Sequence, residues 1–250
     1  MANWSDPRLG TAPFGKADAT GTRSAAFDAG LRSYMLRVYN YMASGVLLTG
    51  IVALLFASGG ENSLAAQVFI GGGILKYIIM LAPLAIVFGM SFGVNRMSAG
   101  TLQALFWAYA VLMGLSLSTI FLVYSGSSIA GAFFSTAAGF AALSLYGYTT
   151  KRDLSAFGTF LIIGVVGLLV ASIVNMFVQS GPLGLVISAI GVLLFAGLTA
   201  YDTQRTKSLY FQVRGTDMQD KVVVMSALSL YLDFINMFLF ILRLFGSSRD

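Results

Sequence analysis

The chain has 250 residues, of which 57% are hydrophobic and only 10% are charged. Soluble domains carry about 25% charged residues, so the composition indicates an integral membrane protein whose main partner is the lipid bilayer. It contains no cysteine and no histidine, which excludes disulfides, thiolate catalysis, His-based zinc sites and a Ser–His catalytic pair. We interpret the net charge of +5 as a signal of membrane topology and expect no nucleic-acid partner.

The first 33 residues are rich in Ala, Gly, Ser, Thr and Asp and show no apolar period. Such a composition buries too little apolar surface to fold, so we predict a flexible, water-exposed cytoplasmic tail over 1–33. This tail is too long and too polar for a secretory signal peptide, so the first hydrophobic run should stay in the protein as an anchor. A membrane domain over 34–246 and a short C-terminal tail over 247–250 complete the predicted organisation.

Seven apolar runs follow the tail, each close to the ~20 residues that a helix needs to cross the hydrocarbon core. Backbone polar groups in lipid must pair within their segment, and the runs lack the strict alternation of barrel strands, so they should be helices. A shorter apolar stretch over 64–75 contains three glycines and is expected to lie at the membrane interface. The predicted fold class is therefore an all-α integral membrane protein with seven transmembrane helices, at 39–56, 77–94, 102–124, 129–146, 154–177, 183–201 and 222–245.

Positive charge is distributed unevenly among the predicted loops. Twelve of the 15 Lys and Arg residues fall before the first run, or in the loops that follow the second, fourth and sixth runs. Because basic residues collect on the cytoplasmic side of a membrane, we predict a cytoplasmic N-terminus. Seven crossings then place the C-terminus outside.

Two aspartates, Asp202 and Asp233, lie inside the last two hydrophobic runs. An ionisable side chain at bilayer depth costs at least ~2.5–3.5 kcal/mol, so it indicates a functional site or a compensating partner. Asp202 ends the sixth run, whereas Asp233 lies about eleven residues into the seventh, or ~16 Å along a helix. The two carboxyls share a pocket only if the last helix starts late, tilts or sits shallowly, and the sequence leaves this open. Asp202 alone also fits a solvated helix end.

The seventh run carries a single polar face, in which two serines, an aspartate and an asparagine recur at helical spacing. A polar stripe on an apolar helix is typical of a face that lines the bundle interior or a water-filled path. Arg96, which follows the second run, is the candidate cation for the aspartates, although it also fits a plain topology determinant. We interpret four residues as polar support for the pair: Tyr201, Ser226, Ser229 and Asn236.

At these residues the sequence resembles the Bax inhibitor-1 family, over about 31–246. One departure is a longer connection between the sixth and seventh runs, at 206–221, which contains Asp217 and Asp220. The strings that carry the resemblance are Tyr201-Asp-Thr-Gln204, the segment Met225 to Phe238 with Leu230-Tyr-Leu-Asp233-Phe-Ile-Asn236, Leu242-Arg-Leu-Phe-Gly246, Thr150-Lys-Arg-Asp-Leu-Ser155, and Arg96.

The resemblance implies that six helices surround a central seventh helix and that the protein lies in a bacterial inner membrane. It further implies a pH-sensitive calcium leak, with Ca²⁺ as the permeant ion, no tightly bound cofactor and no enzymatic activity. By the same resemblance, Asp202 and Asp233 form the proton-sensing pair, and Arg96 engages them. Their oxygens are hard ligands that suit calcium, so we expect the pair to contact the ion. The physical argument is that two carboxyls in a low-dielectric site cannot both ionise cheaply, so they should share a proton and titrate as a unit.

Two other functions stay open from the sequence. One is a scaffold or regulator of membrane proteases or of a stress response, which would bind membrane-protein partners and transport nothing. The other is an intramembrane aspartyl protease, which also places two carboxyls on adjacent helices as acid and base. Such a protease is expected to carry Gly-x-Gly-Asp around its second aspartate, whereas this chain has Leu230-Tyr-Leu-Asp233.

Overall fold

A computed structural model describes the backbone of residues 17–248 and the side chains of residues 29–248. Within these bounds the chain is almost entirely helical, and a single 3₁₀ turn, Gly60–Asn62, precedes the second helix. The α-helices are α1 (Ala17–Ala57), α2 (Leu64–Phe69), α3 (Leu75–Gly93), α4 (Ala99–Leu117), α5 (Ile120–Val123), α6 (Gly126–Thr149), α7 (Ser155–Val178), α8 (Gly181–Val213) and α9 (Met218–Phe245).

Seven helical stretches are long and apolar enough to cross a membrane, which confirms the predicted fold class. The third crossing combines α4 with the short helix α5, while α2 is too short to span. The seven stretches are Ala29–Ala57, Leu75–Gly93, Ala99–Val123, Gly126–Thr149, Ser155–Val178, Gly181–Val213 and Met218–Phe245.

Serines begin three of the crossings. The side chains of Ser98, Ser125 and Ser180 each accept a hydrogen bond from the backbone amide three residues further along. A serine in this position satisfies one of the free amides that every helix leaves at its N-terminus, which is why α4, α6 and α8 start where they do.

The first helix begins earlier than the predicted membrane domain. Helix α1 starts at Ala17, so the second half of the predicted 1–33 tail is helical, and Leu31 is only 5% exposed. The segment contains several alanines, the best helix formers, and it continues the helix whose buried side carries Leu31 and Tyr34. Residues 1–16 of the tail, and residues 249–250 of the predicted C-terminal tail, lie outside the described residues.

The last helix, α9, is the most buried of the seven crossings. In its most apolar window 67% of the residues are buried, against 11% to 44% in the other six. Its main contacts come from α1, α4, α6 and α8, whereas α3 packs chiefly on α4 and α7 on α8. The implied arrangement of six helices around α9 stays a prediction.

Helices α8 and α9 also depart from the predicted boundaries. Helix α8 runs to Val213, twelve residues past the predicted end at 201, and α9 begins at Met218, before the predicted start at 222. The 206–221 connection is therefore mostly helical, and only residues 214–217 form the turn. Polar residues end a hydrophobic run but do not end a helix, so hydropathy underestimated both lengths.

Candidate functional site

The two aspartates meet because α8 and α9 form an antiparallel hairpin. Counted from the turn, Asp202 lies eleven residues back from Val213, and Ser229 lies eleven residues on from Met218. Equal distances from the turn place these two residues side by side, and Asp233 follows Ser229 by about one helical turn on α9. The unequal depths expected from the sequence disappear because both helices extend beyond their hydrophobic runs.

The pair is enclosed by protein. Asp202 is 8% exposed and Asp233 is 4% exposed. Asp202 Oδ2 accepts a hydrogen bond of 2.5 Å from the hydroxyl of Ser229, and the two carboxyls lie within hydrogen-bonding and electrostatic range of each other. Asp233 Oδ2 is buried and no donor from the described side chains or backbone reaches it. Since ionised carboxyls only accept hydrogen bonds, a hydrogen bond between the two carboxyls would need a proton on one of them.

A polar cavity of about 390 Å³ extends from Asp202 towards the α8–α9 turn. Ser226 and Ser229 line it from α9, and Arg205 lines it from α8, one turn from Asp202. Arg205 exerts a favourable electrostatic effect on ionised Asp202. Arg205 is not among the site residues predicted from the sequence; its spacing of three residues from Asp202 on one helix was the available signal.

The other predicted site residues lie apart from the pair. Arg96 is exposed beyond the end of α3, and no side-chain contact joins it to either aspartate in the described part of the chain. The amide of Asn236 donates to the carbonyl of Leu232 on its own helix, at 2.8 Å. Tyr201 packs its ring against Gly158 of α7. The roles of these residues at the pair stay predictions.

Two of the sequence strings that carry the resemblance meet at this end of the bundle. Gln204 accepts a hydrogen bond from the amide of Leu154 at 2.9 Å and donates one to the carbonyl of Arg152 at 2.8 Å. The loop is further ordered by Ser155, whose hydroxyl and amide hydrogen bonds lower the pKa of Asp153. Gln204 therefore ties the α6–α7 loop to α8, two residues from Asp202.

A second polar contact, which was not predicted from the sequence, crosses the bundle from α1 to α9. The hydroxyls of Thr49 and Tyr231 are 2.6 Å apart, and Thr49 also donates to the carbonyl of Ala110 at 2.8 Å. This contact joins α1, α4 and α9. It gives the hydroxyls of Thr49 and Tyr231 the hydrogen-bond partners that buried polar groups require. Tyr231 lies two residues from Asp233, so the contact anchors the helix that carries the second aspartate.

Chemically, the site combines two carboxyls, one hydroxyl donor and one nearby cation. A protonated pair can bridge α8 and α9, because one carboxyl donates and the other accepts. An ionised pair places two like charges together, and the free oxygens are hard ligands of the kind that calcium prefers. The arrangement can therefore exchange protons and contact a divalent cation at the same atoms.

Comparisons with known proteins point to one family. A family model described as "Inhibitor of apoptosis-promoting Bax1" matches residues 31–250. The chain is 45% identical over 235 residues to RP147 of Rickettsia prowazekii, covering 94% of this chain and 98% of RP147. It is 45% identical over 226 residues to the inner membrane protein YbhL of Escherichia coli strain K12, covering 88% and 94%. A protein of Borreliella burgdorferi is 37% identical over 218 residues, covering 87% and 93%.

The matches to these relatives cover 87% to 94% of the chain, and the family match over 31–250 includes the segments that carry both aspartates. They agree with the resemblance found in the strings around Asp202 and Asp233, and the relatives named above are bacterial. The chain is an integral membrane protein that belongs to the Bax inhibitor-1 family.

Proposed function

We propose that the protein is a pH-sensitive calcium leak in which Asp202 and Asp233 act as the gate. The observation that carries this proposal is the enclosure of two mutually contacting carboxyls on adjacent helices, with Asp233 Oδ2 lacking any donor from the described residues. Such a pair is costly at bilayer depth, so its presence indicates that its titration has a function. The proposal needs no bound cofactor and no enzymatic step.

In the closed state a shared proton joins the two carboxyls and holds α8 against α9. Leu198 and Phe234, which are buried near the pair on α8 and α9, would block a water path in this state. Loss of the proton leaves two like charges in a low-dielectric site, and their repulsion favours separation of the helices. We take the conformation described above as the closed state of this proposal.

The polar cavity provides the entry to the gate. It brings the carboxyl of Asp202 and the hydroxyls of Ser226 and Ser229 to one surface. Calcium binds six to eight oxygen ligands in flexible geometry, so a few protein oxygens plus water suit an ion that passes without being retained. Arg205 at the same surface balances part of the negative charge.

Calcium flux into liposomes that contain the purified protein, measured from pH 5 to pH 8, tests the proposal. We expect flux to rise with pH in the parent and to lose most of its pH dependence in Asp202→Asn and in Asp233→Asn. Asp217→Asn is the matched control, because Asp217 is an exposed residue in the α8–α9 turn and lies outside the site. An asparagine still forms hydrogen bonds but cannot share a titrating proton.

Two outcomes contradict the proposal. Absence of calcium flux in folded parent protein at every pH would favour the scaffold or regulator function. Unchanged pH dependence in both site variants would remove the proton-sensing role of the pair while leaving a leak intact.

A further inference from the structure

A separate apolar groove, of about 520 Å³, opens between α1 and α6. These two helices make no extensive contact with each other, because each packs on α9 instead. Met35 and Met42 line the groove from α1, and Phe140 and Leu145 line it from α6. Behind them, the hydroxyls of Tyr39 and Thr203 are 3.3 Å apart and connect α1 to α8. The groove is therefore a lateral opening with a closed floor.

The groove has the length of one membrane leaflet. On α1 its lining runs from Arg32 to Ala43, which is ~16 Å at 1.5 Å per residue. That is about half of a ~30 Å hydrocarbon core. A second, separate cavity of about 300 Å³ lies between the same helices further along α1, from Val46 to Ala53. A partner transmembrane helix is ~10–12 Å wide and would need a continuous face across the whole membrane. An acyl chain occupies one leaflet, which matches the length of this groove.

One end of the groove is positively charged. Arg32 lines this end and is exposed, and no acidic side chain pairs with it among those the structure describes. Its neighbour Arg37 differs, since it forms an ion pair of 2.7 Å with Asp220. Lys207 adds a second cation beside the groove, with its ammonium 4.9 Å from the centre of the Tyr148 ring.

We propose that this groove binds an anionic phospholipid, with one acyl chain between α1 and α6 and the phosphate at Arg32. The volume lies within the ~300–1,000 Å³ of ligand pockets, and the lining is mainly apolar along its length and cationic at one end. Basic pockets between transmembrane helices recognise lipid phosphates in this way, because the charge meets the head group while the walls meet the chain.

Native mass spectrometry of the full-length protein in detergent tests this site. The probes are phosphatidylglycerol and phosphatidylcholine with identical acyl chains, added at equal concentration. We expect the parent to retain phosphatidylglycerol in preference. Arg32→Ala should reduce that preference about fivefold, and Ala141→Phe, which fills the groove from α6, should reduce retention of both lipids.

Each variant has a matched control on the same end or helix. Arg152→Ala removes an exposed arginine outside the groove, and Ala142→Phe adds a ring on the neighbouring exposed face of α6. Both should retain lipid like the parent. Equal retention of the two lipids by the parent, or full preference in Arg32→Ala, would overturn the phosphate assignment. Full retention in Ala141→Phe would overturn the groove itself, and a co-purifying protein in place of lipid would do the same.

Discussion

The hydroxyl of Ser229 donates a hydrogen bond of 2.5 Å to Oδ2 of Asp202 across the α8–α9 interface. Among the described residues outside the pair, Ser229 is the one side chain that donates a hydrogen bond to the pair, and it donates to Asp202. A donor of this kind favours the ionised carboxylate, because its positive end faces the oxygen. If the pair acts as the proposed gate, Ser229 should therefore influence how readily it loses its proton.

Replacing Ser229 by alanine should make the leak open at higher pH. Without the donor, the ionised form of the pair is less stable, so the pair keeps its proton to a higher pH. Hydrogen bonds to charged groups are worth ~1.5–3 kcal/mol, so we expect the midpoint of calcium flux to rise by about 1 pH unit or more. Ser188→Ala is the control, because Ser188 is a buried serine on α8 whose hydroxyl donates to the carbonyl of Gly184 and not to either aspartate. An unchanged midpoint in Ser229→Ala would contradict this role.

The two aspartates should behave as one unit in a double-mutant cycle. Either single Asp→Asn change already removes the shared proton, so the double variant should alter the pH dependence of flux little further. The cycle compares flux–pH curves of Asp202→Asn, Asp233→Asn and the double variant in folded protein. Additive effects of the two changes would show that the carboxyls titrate separately.

Arg205 should influence the gate more than Arg96 does. Arg205 lines the polar cavity and its charge acts on Asp202, whereas Arg96 makes no described contact with the pair. Arg205→Gln removes a cation that favours the ionised pair, so we expect flux to require a pH higher by roughly half a unit to one unit. Arg96→Ala, measured in the same assay, should shift the midpoint less. A larger shift in Arg96→Ala would instead support the cation role implied by the family resemblance.

Gly147 should be required for the packing of α6 on α8. A side chain at this position would come against the backbone carbonyl of Ala200, two residues before Asp202. Because neither backbone can move aside cheaply, we expect Gly147→Ala to lower the stability by ~1–3 kcal/mol in thermal unfolding of the detergent-solubilised protein. Gly139→Ala on the same helix meets nothing within 4 Å and should be neutral or slightly stabilising. Equal stability of the two variants would argue against close contact here.

Reporter fusions should place the N-terminus in the cytoplasm and the C-terminus outside. This prediction depends on the uneven distribution of the 15 basic residues, twelve of which fall on one side of a seven-crossing chain. The measurement compares cytoplasm-active and exterior-active reporters fused after Asp250. Activity confined to the cytoplasmic reporter would contradict the predicted C-terminus.

Hydropathy by itself predicted the number, order and approximate position of the crossings. That success has a physical cause: a lipid-facing helix must be apolar along its whole length, so its signal is local in the chain. Asp202 and Asp233 were identified for the same reason, because a charged residue inside an apolar run can be recognised without knowing how the helices pack. It also explains the error at the ends of α8 and α9, where the helices continue into polar sequence.

Only the tertiary structure decided which side chains meet. The hairpin register of α8 and α9 brings Ser229 to Asp202, whereas the packing of α7 on α8 places Tyr201 against Gly158. Asn236 bonds to the backbone of its own helix. A polar face on one helix specifies a direction but not the residue opposite, which depends on where the turn falls and how long each helix is. The sequence alone shows that the sixth and seventh segments each carry an aspartate. Which residues contact those aspartates depends on how the helices pack against one another.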